Sequence, residues 1–564
     1  MKKKIVFVAL GSAFILTSCS KLGPLYPEYF KVNPTPLEAV GNEVPATIYG
    51  TFPAKYMKKK AQVTITPVLK YGNGMAQGQS ASFQGEKVEA NATTIQYKTG
   101  GNFTMKNTWA YSEEMLKSDL YLQFDAKVGK KVVSIPEVKV GYGVLSTSTL
   151  LGRCLSNSNA AIAPDAFQRI IEQKQEANIK FLIAQANLRT SELTNVSVRD
   201  LVNILKEIND NEETRALENV EVSAYASPDG RFDFNEKLAE ARQNVSADFL
   251  KKELKKIQMD ADINTKYTAE DWDGFQELVS QSNLQDKQVI LRVLSMYQDP
   301  EQREQQIKNM SEIYTDIKEG IMPELRRARL IVRYDVIGRS DDQIIEQFGS
   351  DASKLSVEEL LYGAGTLMEN AADQQTWLQR TAQLYPSDYR AFNNLAQLAY
   401  AGGNVAAAKE YLQQAQNISS NAPEVNTNMA LISLLEGNVD KAETFLAKGS
   451  GSNTFEEIMG TLNLAKGNYV QAQSSLHGVN NNAAALAQIL NKDYESAGKT
   501  ISAIQNPDAT TSYLQAVLAA RTSDTGTLVN SLRQVIEKDP TLAKRALMDL
   551  EFAKYGSTVK SLVK

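Results

Sequence analysis

A glycine–asparagine pair that returns at a fixed distance in the last third of the chain constrains the fold more than any other feature. The pair at Gly403 and Asn404 recurs 34 residues later at Gly437 and Asn438, and a third pair follows at a shorter spacing. Between the pairs, apolar residues and alanines recur at helical spacing. A repeat long enough for two helices predicts a stack of helix pairs that share one continuous core.

The residues around the first pair are similar, position by position, to the consensus of the tetratricopeptide repeat family. The matching residues are Ala391-Phe392-Asn393-Asn394-Leu395-Ala396, Tyr400, Gly403-Asn404, Ala408, Tyr411 and Ala415. The resemblance implies a tetratricopeptide-type all-α solenoid over residues 355–555, with alanines where the helices of a pair touch. It also implies a concave surface that binds peptides or protein partners and does no chemistry itself. An unrelated helical bundle is the alternative.

The N-terminal part of the chain alternates apolar and polar residues in short runs. Val63-Thr64-Ile65-Thr66 and residues 120–124 are examples, and glycine- and asparagine-rich turns separate the runs. This period of two predicts about seven antiparallel strands in a β-sandwich domain over residues 19–150. The stretch Gly141-Tyr142-Gly143 lacks the third glycine of a nucleotide-binding loop and predicts a kinked strand.

Strands alternate with helices between residues 175 and 340, which is typical of an α+β domain. The predicted strands cover residues 179–183, 219–225 and 329–336, and the predicted helices cover residues 197–208 and 235–256. A long insertion between residues 250 and 326 carries charges that are most simply a solvated helix face.

One turn of this domain resembles the peptidoglycan-binding turn of the OmpA-like family, with no gap in the register. The matching residues are Ala224-Tyr225-Ala226-Ser227-Pro228-Asp229-Gly230, Asn235, Leu238, Arg242 and the later pair Arg326-Arg327. In that family an aspartate of the turn pairs the ammonium of diaminopimelate, and an arginine of the helix pairs its carboxylate. The resemblance implies a site built from Ser227, Asp229, Asn235 and Arg242.

This sequence departs from the family pattern at Ser227, which occupies the aspartate position. A hydroxyl is a neutral acceptor, so the ammonium partner would have to be Asp229, two residues further on. The alternative to peptidoglycan binding is that the domain keeps the OmpA-like fold but has lost or changed its ligand. In that case Arg242 would be a surface residue that caps the local turn.

The first residues of the chain predict export and lipid anchoring. Three lysines precede an apolar run over residues 5–16, which is too short to span a membrane. Leu16-Thr17-Ser18-Cys19 resembles the bacterial lipobox, so the resemblance implies cleavage after residue 18 and acylation of Cys19. In some Gram-negative lipoproteins an acidic run after the anchor directs export to the cell surface. This chain has Lys21 and Gly23 there instead, which favours a periplasmic orientation. A plain secretory signal with a chance cysteine is the alternative.

Composition narrows the remaining classes of function. The 564 residues carry a formal net charge of −5, which excludes a dedicated nucleic-acid binder because such proteins need a basic face. Two cysteines and one histidine leave almost nothing for a zinc site, a cysteine nucleophile or a Ser-His-Asp triad. The sequence predicts no metal, no cofactor and no enzyme. A glycosidase with paired carboxylates is the enzymatic alternative, although no such pair stands out.

These patterns together predict a multidomain protein: an N-terminal β-sandwich, an α+β OmpA-like domain and a C-terminal helical solenoid. The expected function is that of a lipid-anchored outer-membrane scaffold that links membrane, peptidoglycan and protein partners in the periplasm. The alternative is an accessory subunit of an outer-membrane assembly, transport or secretion complex that does not contact the cell wall.

Overall fold

The computed structural model describes residues 22–284, 287–309 and 311–563, which form two compact units. The first unit contains the residues up to Pro164 together with those from Ala364 onward, and the second runs from Asp165 to Gly363. The second unit is therefore inserted, in the sequence, between two parts of the first. The predicted signal segment and Cys19 lie outside the described residues.

The N-terminal part of the first unit is rich in strands, as predicted. Its elements are β1 (Phe30–Asn33), β2 (Leu37–Glu38), β3 (Glu43–Phe52), β4 (Ala61–Tyr71), β5 (Gly74–Gln77), β6 (Ala81–Gly85), β7 (Thr93–Ile95), β8 (Gly101–Ala110), β9 (Ser118–Val128), β10 (Lys131–Ser134), β11 (Val138–Tyr142), β12 (Val144–Leu145) and the short helix α1 (Leu151–Cys154). One sheet has the order β1-β3-β8. A larger sheet has the order β10-β9-β4-β6-β7, with β5 on β4 and β11 on β9.

The alternation seen in the sequence places every second side chain of these strands in one hydrophobic core shared by the two sheets. Ile48 of β3 and Phe103 of β8 come from the smaller sheet, whereas Ile65 of β4 and Phe83 of β6 come from the larger. The rings of Phe83 and Phe103 meet at a centroid distance of 4.5 Å. The predicted kink is also present, because the pairing of β11 with β9 shifts register just before Gly141.

Two details of the strand prediction are wrong. The described residues contain twelve strands here rather than about seven. The pairs β6–β7 and β2–β12 are parallel, although all strands were expected to be antiparallel. The reason is that alternation determines which side chains face the core but carries no information on strand direction.

The second unit combines one sheet with two sets of helices. Its elements are β13 (Ile170–Lys180), α2 (Thr190–Leu193), α3 (Val196–Asp210), β14 (Arg215–Tyr225), α4 (Phe232–Lys256), β15 (Ile263–Thr268), α5 (Trp272–Gln281), α6 (Lys287–Met296), α7 (Pro300–Lys308), α8 (Ser311–Asp316), α9 (Met322–Leu325), β16 (Arg327–Ile337), α10 (Asp341–Asp351) and α11 (Val357–Tyr362). The sheet order is β13-β16-β14-β15, with β14 and β15 parallel. Helices α3 and α4 contribute to the core on this sheet, and α5 to α9 surround a separate small core.

Strand β13 is the element that the sequence placed wrongly. It was expected over residues 179–183, but it begins at Ile170 and ends at Lys180. Its first five residues are exposed, because β13 lies at the edge of the sheet and pairs only with β16. A strand with little burial shows little alternation, so its start could not be recognised.

The C-terminal part of the first unit is the predicted stack of helices. It consists of α12 (Ala371–Leu384), α13 (Tyr389–Ala401), α14 (Val405–Ile418), α15 (Pro423–Leu435), α16 (Val439–Leu446), α17 (Phe455–Ala465), α18 (Tyr469–Ser475), α19 (Asn482–Leu490), α20 (Tyr494–Ala503), α21 (Ala509–Thr522), α22 (Thr525–Lys538), α23 (Pro540–Ala546) and α24 (Gly556–Leu562). Helix α13 pairs with α14, α15 with α16, α17 with α18, α19 with α20 and α21 with α22.

The repeated glycine–asparagine pairs form the turns inside these helix pairs. Gly403 and Gly437 have φ values of +77° and +73°, a conformation that ends a helix and favours glycine. The next residue caps the following helix: the Asn404 side chain accepts from the Ala407 N–H, and Asn438 caps α16 in the same way. The alanines expected at the helix contacts are fully buried. They are Ala408, Ala442, Ala472 and Ala497.

The strand-rich part and the helical stack are packed into one unit. Gly41 has a φ of +58°, and a Cβ atom there would lie 2.5 Å from the carbonyl oxygen of Ala465. The Arg545 guanidinium of α23 donates to the Ser146 carbonyl at 2.9 Å and to the Thr149 hydroxyl at 2.9 Å. The sequence ranges 19–150 and 355–555 therefore fall mostly within a single folded body.

Candidate binding sites in the two units

The turn after β14 holds a buried network of polar side chains. The Ser227 hydroxyl donates to one oxygen of the Asp229 carboxylate. Arg326, just before β16, donates from Nε to the Ser227 hydroxyl at 3.2 Å and from Nη2 to the other Asp229 oxygen at 2.9 Å. Asn235 of α4 donates from Nδ2 to the carbonyls of Ser227 and Gly230. Three of the four predicted site residues are thus brought together.

The fourth predicted residue, Arg242, is directed at backbone oxygens. Its guanidinium donates to the carbonyls of Gln185 at 3.0 Å, Tyr225 at 2.8 Å and Leu182 at 3.2 Å. It also lies 5.2 Å from the centre of the Phe181 ring. Only 1% of the residue is exposed. A carboxylate from outside reaches this guanidinium only if the chain around Leu182 and Gln185 moves away.

Burial lowers the pKa of Arg242 to about 10, helped by the positive charge of Arg326 and opposed by Asp229. The side chain therefore remains protonated at neutral pH. In the loop that surrounds Arg242, Ala184 adopts a φ of +53°. It lies between Leu182 and Gln185, whose carbonyls accept from the guanidinium. A non-glycine residue in this region costs on the order of 1 kcal/mol or more, so the loop conformation depends on the bonds to the guanidinium.

Arg326 is the residue of this candidate site whose role the sequence did not reveal. It matches the first arginine of the family's closing pair, but no partner could be assigned to it. In the structure its guanidinium neutralises Asp229, the carboxylate that was expected to meet a ligand ammonium. Arg327 likewise pairs with buried Asp271, which caps α5. Both arginine–carboxylate pairs are satisfied within the second unit.

A second candidate site lies in the first unit, where residues 155–164 cross the helical stack, first as the 3-10 turn Leu155–Asn157 and then in an extended conformation. We call these residues the strap. The side chains of Leu155, Ala161 and Ala163 are buried, whereas Ile162 is 47% exposed. The strap forms no strand pairing within the described residues. Its backbone polar groups therefore need partners among side chains.

Asparagines of the first helices of two successive pairs supply those partners. Asn428 of α15 accepts the Ala161 N–H at 2.6 Å and donates to the Ala161 carbonyl at 2.8 Å. Asn393 of α13 donates to the same carbonyl at 3.0 Å and accepts from Asn428. Asn394 holds Ala163 in the same two-bond manner, at 2.8 and 2.9 Å. We call Asn393, Asn394 and Asn428 the asparagine row.

The same mode of binding continues along the strap. The Glu457 carboxylate of α17 accepts the backbone N–H of Asn159 at 2.8 Å and its side-chain amide at 2.9 Å. Burial raises the pKa of Glu457, although the hydrogen bonds from Asn159 and Asn481 act to lower it. The Tyr400 hydroxyl donates to the Leu155 carbonyl. Three first helices, α13, α15 and α17, thus bind one segment of the chain, and most of these contacts are made to its backbone groups.

The sequence contained a weak signal for this row. Asn393 and Asn428 are 35 residues apart, close to the repeat length, and both are almost completely buried. Buried amides at repeat spacing need hydrogen-bond partners from outside their own helix. The nature of that partner could not be predicted, because residues 155–164 show no periodic pattern.

Comparisons with known proteins give no family for the chain. No family model matches it, and no curated protein matches it. Similar solved structures include pilF of Pseudomonas aeruginosa, at 18% identity and a TM-score of 0.28, covering 38% of this chain and all of that one. A tetratricopeptide repeat protein of Parabacteroides merdae matches at 10% identity and a TM-score of 0.26, covering 44% of this chain and 97% of that one. The Cut9–Hcn1 hetero-tetramer matches at 11% identity and a TM-score of 0.30, covering 64% and 75%.

Among the residues that the structure describes, no helix combines the length and the apolar character that crossing a bilayer requires. Within residues 22–284, 287–309 and 311–563, no three histidine, cysteine, aspartate or glutamate side chains gather in a way that could hold a metal ion.

Proposed function

We propose that this protein is a non-enzymatic scaffold whose helical stack binds polypeptides. The observation that carries the proposal is the asparagine row, which pairs with both the N–H and the C=O groups of an extended main chain. Such bonds hold a polypeptide with little dependence on its side chains. A stack that organises the protein's own chain in this way also offers a long, rigid outer surface for partners.

The finer form of the proposal places the scaffold at the outer membrane. The lipobox around Cys19 supports a lipid anchor, and the residues after it support an orientation toward the periplasm. Acyl chains buried in the bilayer contribute about 0.8 kcal/mol per methylene, so more than one chain makes the attachment stable.

Cross-linking in native membranes tests the scaffold proposal. A photo-reactive residue at Val470 of α18, which is 64% exposed, is expected to form adducts with other proteins. The matched control is the same residue at Ile345 of α10, which is 44% exposed and lies outside the stack. Adducts at Val470 that exceed those at Ile345 support recruitment through the stack. Equal or absent adducts at Val470 contradict it.

Contact with peptidoglycan through Ser227, Asp229, Asn235 and Arg242 is the first of two candidate functions for the second unit. The uninterrupted register of these residues supports it, and so does the gathering of Ser227, Asp229 and Asn235 at one turn. The alternative, an accessory subunit of an outer-membrane assembly, transport or secretion complex, is favoured by a specific observation. The Asp229 carboxylate and the Arg242 guanidinium are both already paired inside the domain.

Pull-down with purified sacculi separates the two. We expect most of the wild-type protein to stay in the supernatant, because a ligand would first have to break the Asp229–Arg326 pair. Retention of the wild type that is lost in Asp229→Asn but kept in Arg231→Ala would contradict this expectation and establish wall binding. Arg231 is a suitable control because its side chain is 85% exposed and pairs only with neighbouring Asp233 in the described contacts. Circular dichroism of each variant verifies that it is folded.

A further inference from the structure

We infer that the strap is a built-in peptide ligand that closes the asparagine row to peptides in trans. The inference rests on the proposed function, since it concerns the polypeptide-binding face of the same stack. It has two consequences. Partners recruited by the stack must dock on surfaces other than this face, and an extended peptide enters only when residues 155–164 are displaced.

The strap occupies the asparagine row completely. Both polar groups of Ala161 and of Ala163 are bonded, and their side chains are buried between the helices. The Ala161 carbonyl accepts from two amides at once. A second main chain at this position would find every amide of the row in use.

The covalent connection of the strap to the rest of the chain strengthens its hold on the row. A ligand that is part of the chain is present at an effective concentration in the millimolar range, and here both of its ends are attached. A free peptide that made the same contacts would need to exceed that concentration to replace it. The row is therefore closed to micromolar peptides even though its chemistry suits them.

The space around the strap determines which class of peptide fits the asparagine row. Ala161 and Ala163 are buried on either side of exposed Ile162, as expected for an extended chain. The space beside the strap, lined by Ala160, Tyr400 and Leu431, is a cavity of only about 10 Å³. The face thus accepts an extended peptide with small residues at alternate positions and any residue between them.

Fluorescence anisotropy with a labelled peptide of residues 155–164 tests the inference on the full chain. Ala161→Arg places a long charged side chain where there is no room, so it displaces the strap and leaves the asparagines intact. Ile162→Arg is the matched control, because that side chain already points outward. We expect Ala161→Arg to bind the peptide at least about tenfold more tightly than the wild type or Ile162→Arg do. Adding Asn428→Ala to Ala161→Arg should abolish this binding.

Two outcomes would overturn the inference. One is equal binding of the peptide to the wild type and to Ala161→Arg. The other is a folded Ala161→Arg protein that binds no peptide. Hydrogen exchange of the wild type is the second measurement, in case Ala161→Arg does not fold. The amides of Ala161 and Ala163 should exchange as slowly as those in α13 and α15, and exchange at the rate of an open loop would contradict the inference. Neither measurement involves other proteins, so its result is independent of the cross-linking at Val470.

Discussion

Replacement of Arg242 by methionine is expected to lower the free energy of unfolding of the second unit by about 4 kcal/mol, since three carbonyls lose their donor in a buried position. Methionine keeps much of the apolar volume, so the loss reports the hydrogen bonds rather than a cavity. Arg242→Lys should also be destabilising, because one ammonium cannot reproduce the planar geometry that reaches Leu182, Gln185 and Tyr225 together.

Urea denaturation of the full chain, followed by circular dichroism, measures this effect. The two units are expected to give separable transitions, and only the one that belongs to residues 165–363 should move. Arg231→Ala is the control and should change stability by less than about 0.5 kcal/mol. An Arg242→Met protein as stable as the wild type would show that the guanidinium is not structural, which would leave it free for a ligand carboxylate.

The second large effect is expected for Asn428→Ala. This change removes the acceptor of the Ala161 N–H, one donor to the Ala161 carbonyl and a donor to Asn393. Because all of these groups are buried, we expect the first unit to lose roughly 3 kcal/mol of stability. The amide of Ala161 should lose protection against hydrogen exchange to a similar degree, since the strap would detach before the helices unfold.

Asn417→Ala provides the matched control for this prediction. Asn417 lies exposed at the end of α14. The only described hydrogen bond of its side chain comes from the Gln413 side chain, one turn earlier. We expect no measurable change in stability or in exchange at Ala161. If Asn428→Ala weakened the helices without exposing the strap, the asparagine row would serve helix packing instead of main-chain binding.

The parts of the fold that could be predicted are those with local causes. The turns at Gly403 and Gly437 follow from a glycine in the left-handed region and an asparagine that caps the next helix. Strand β14, helix α4 and strand β16 also lie within a few residues of their predicted positions. Each of these elements carries its own pattern of burial, which the sequence displays directly.

The rest depended on contacts between distant residues. The structure places Ser227, Asp229 and Asn235 together at one turn. The partners of Arg242 could not be predicted, because Leu182 and Gln185 contribute backbone oxygens, which every residue has. The strap was missed for the same reason. Its extended conformation is stabilised by amides more than 200 residues away in the sequence, and nothing in residues 155–164 themselves specifies it.

The insertion of residues 165–363 between two parts of the first unit has a consequence for biosynthesis. A nascent chain produces the strands and the strap first, and roughly 200 further residues follow before α12 begins to emerge. At ordinary elongation rates this is a delay of roughly 10 to 40 s. During that interval Gly41 and Ala161 have no helical stack to pack against, and by its end the inserted unit has been synthesised completely. The second unit can therefore complete its fold before the first unit does, although the first unit contains the N-terminal strands. A chaperone that shields these early strands would act during this interval.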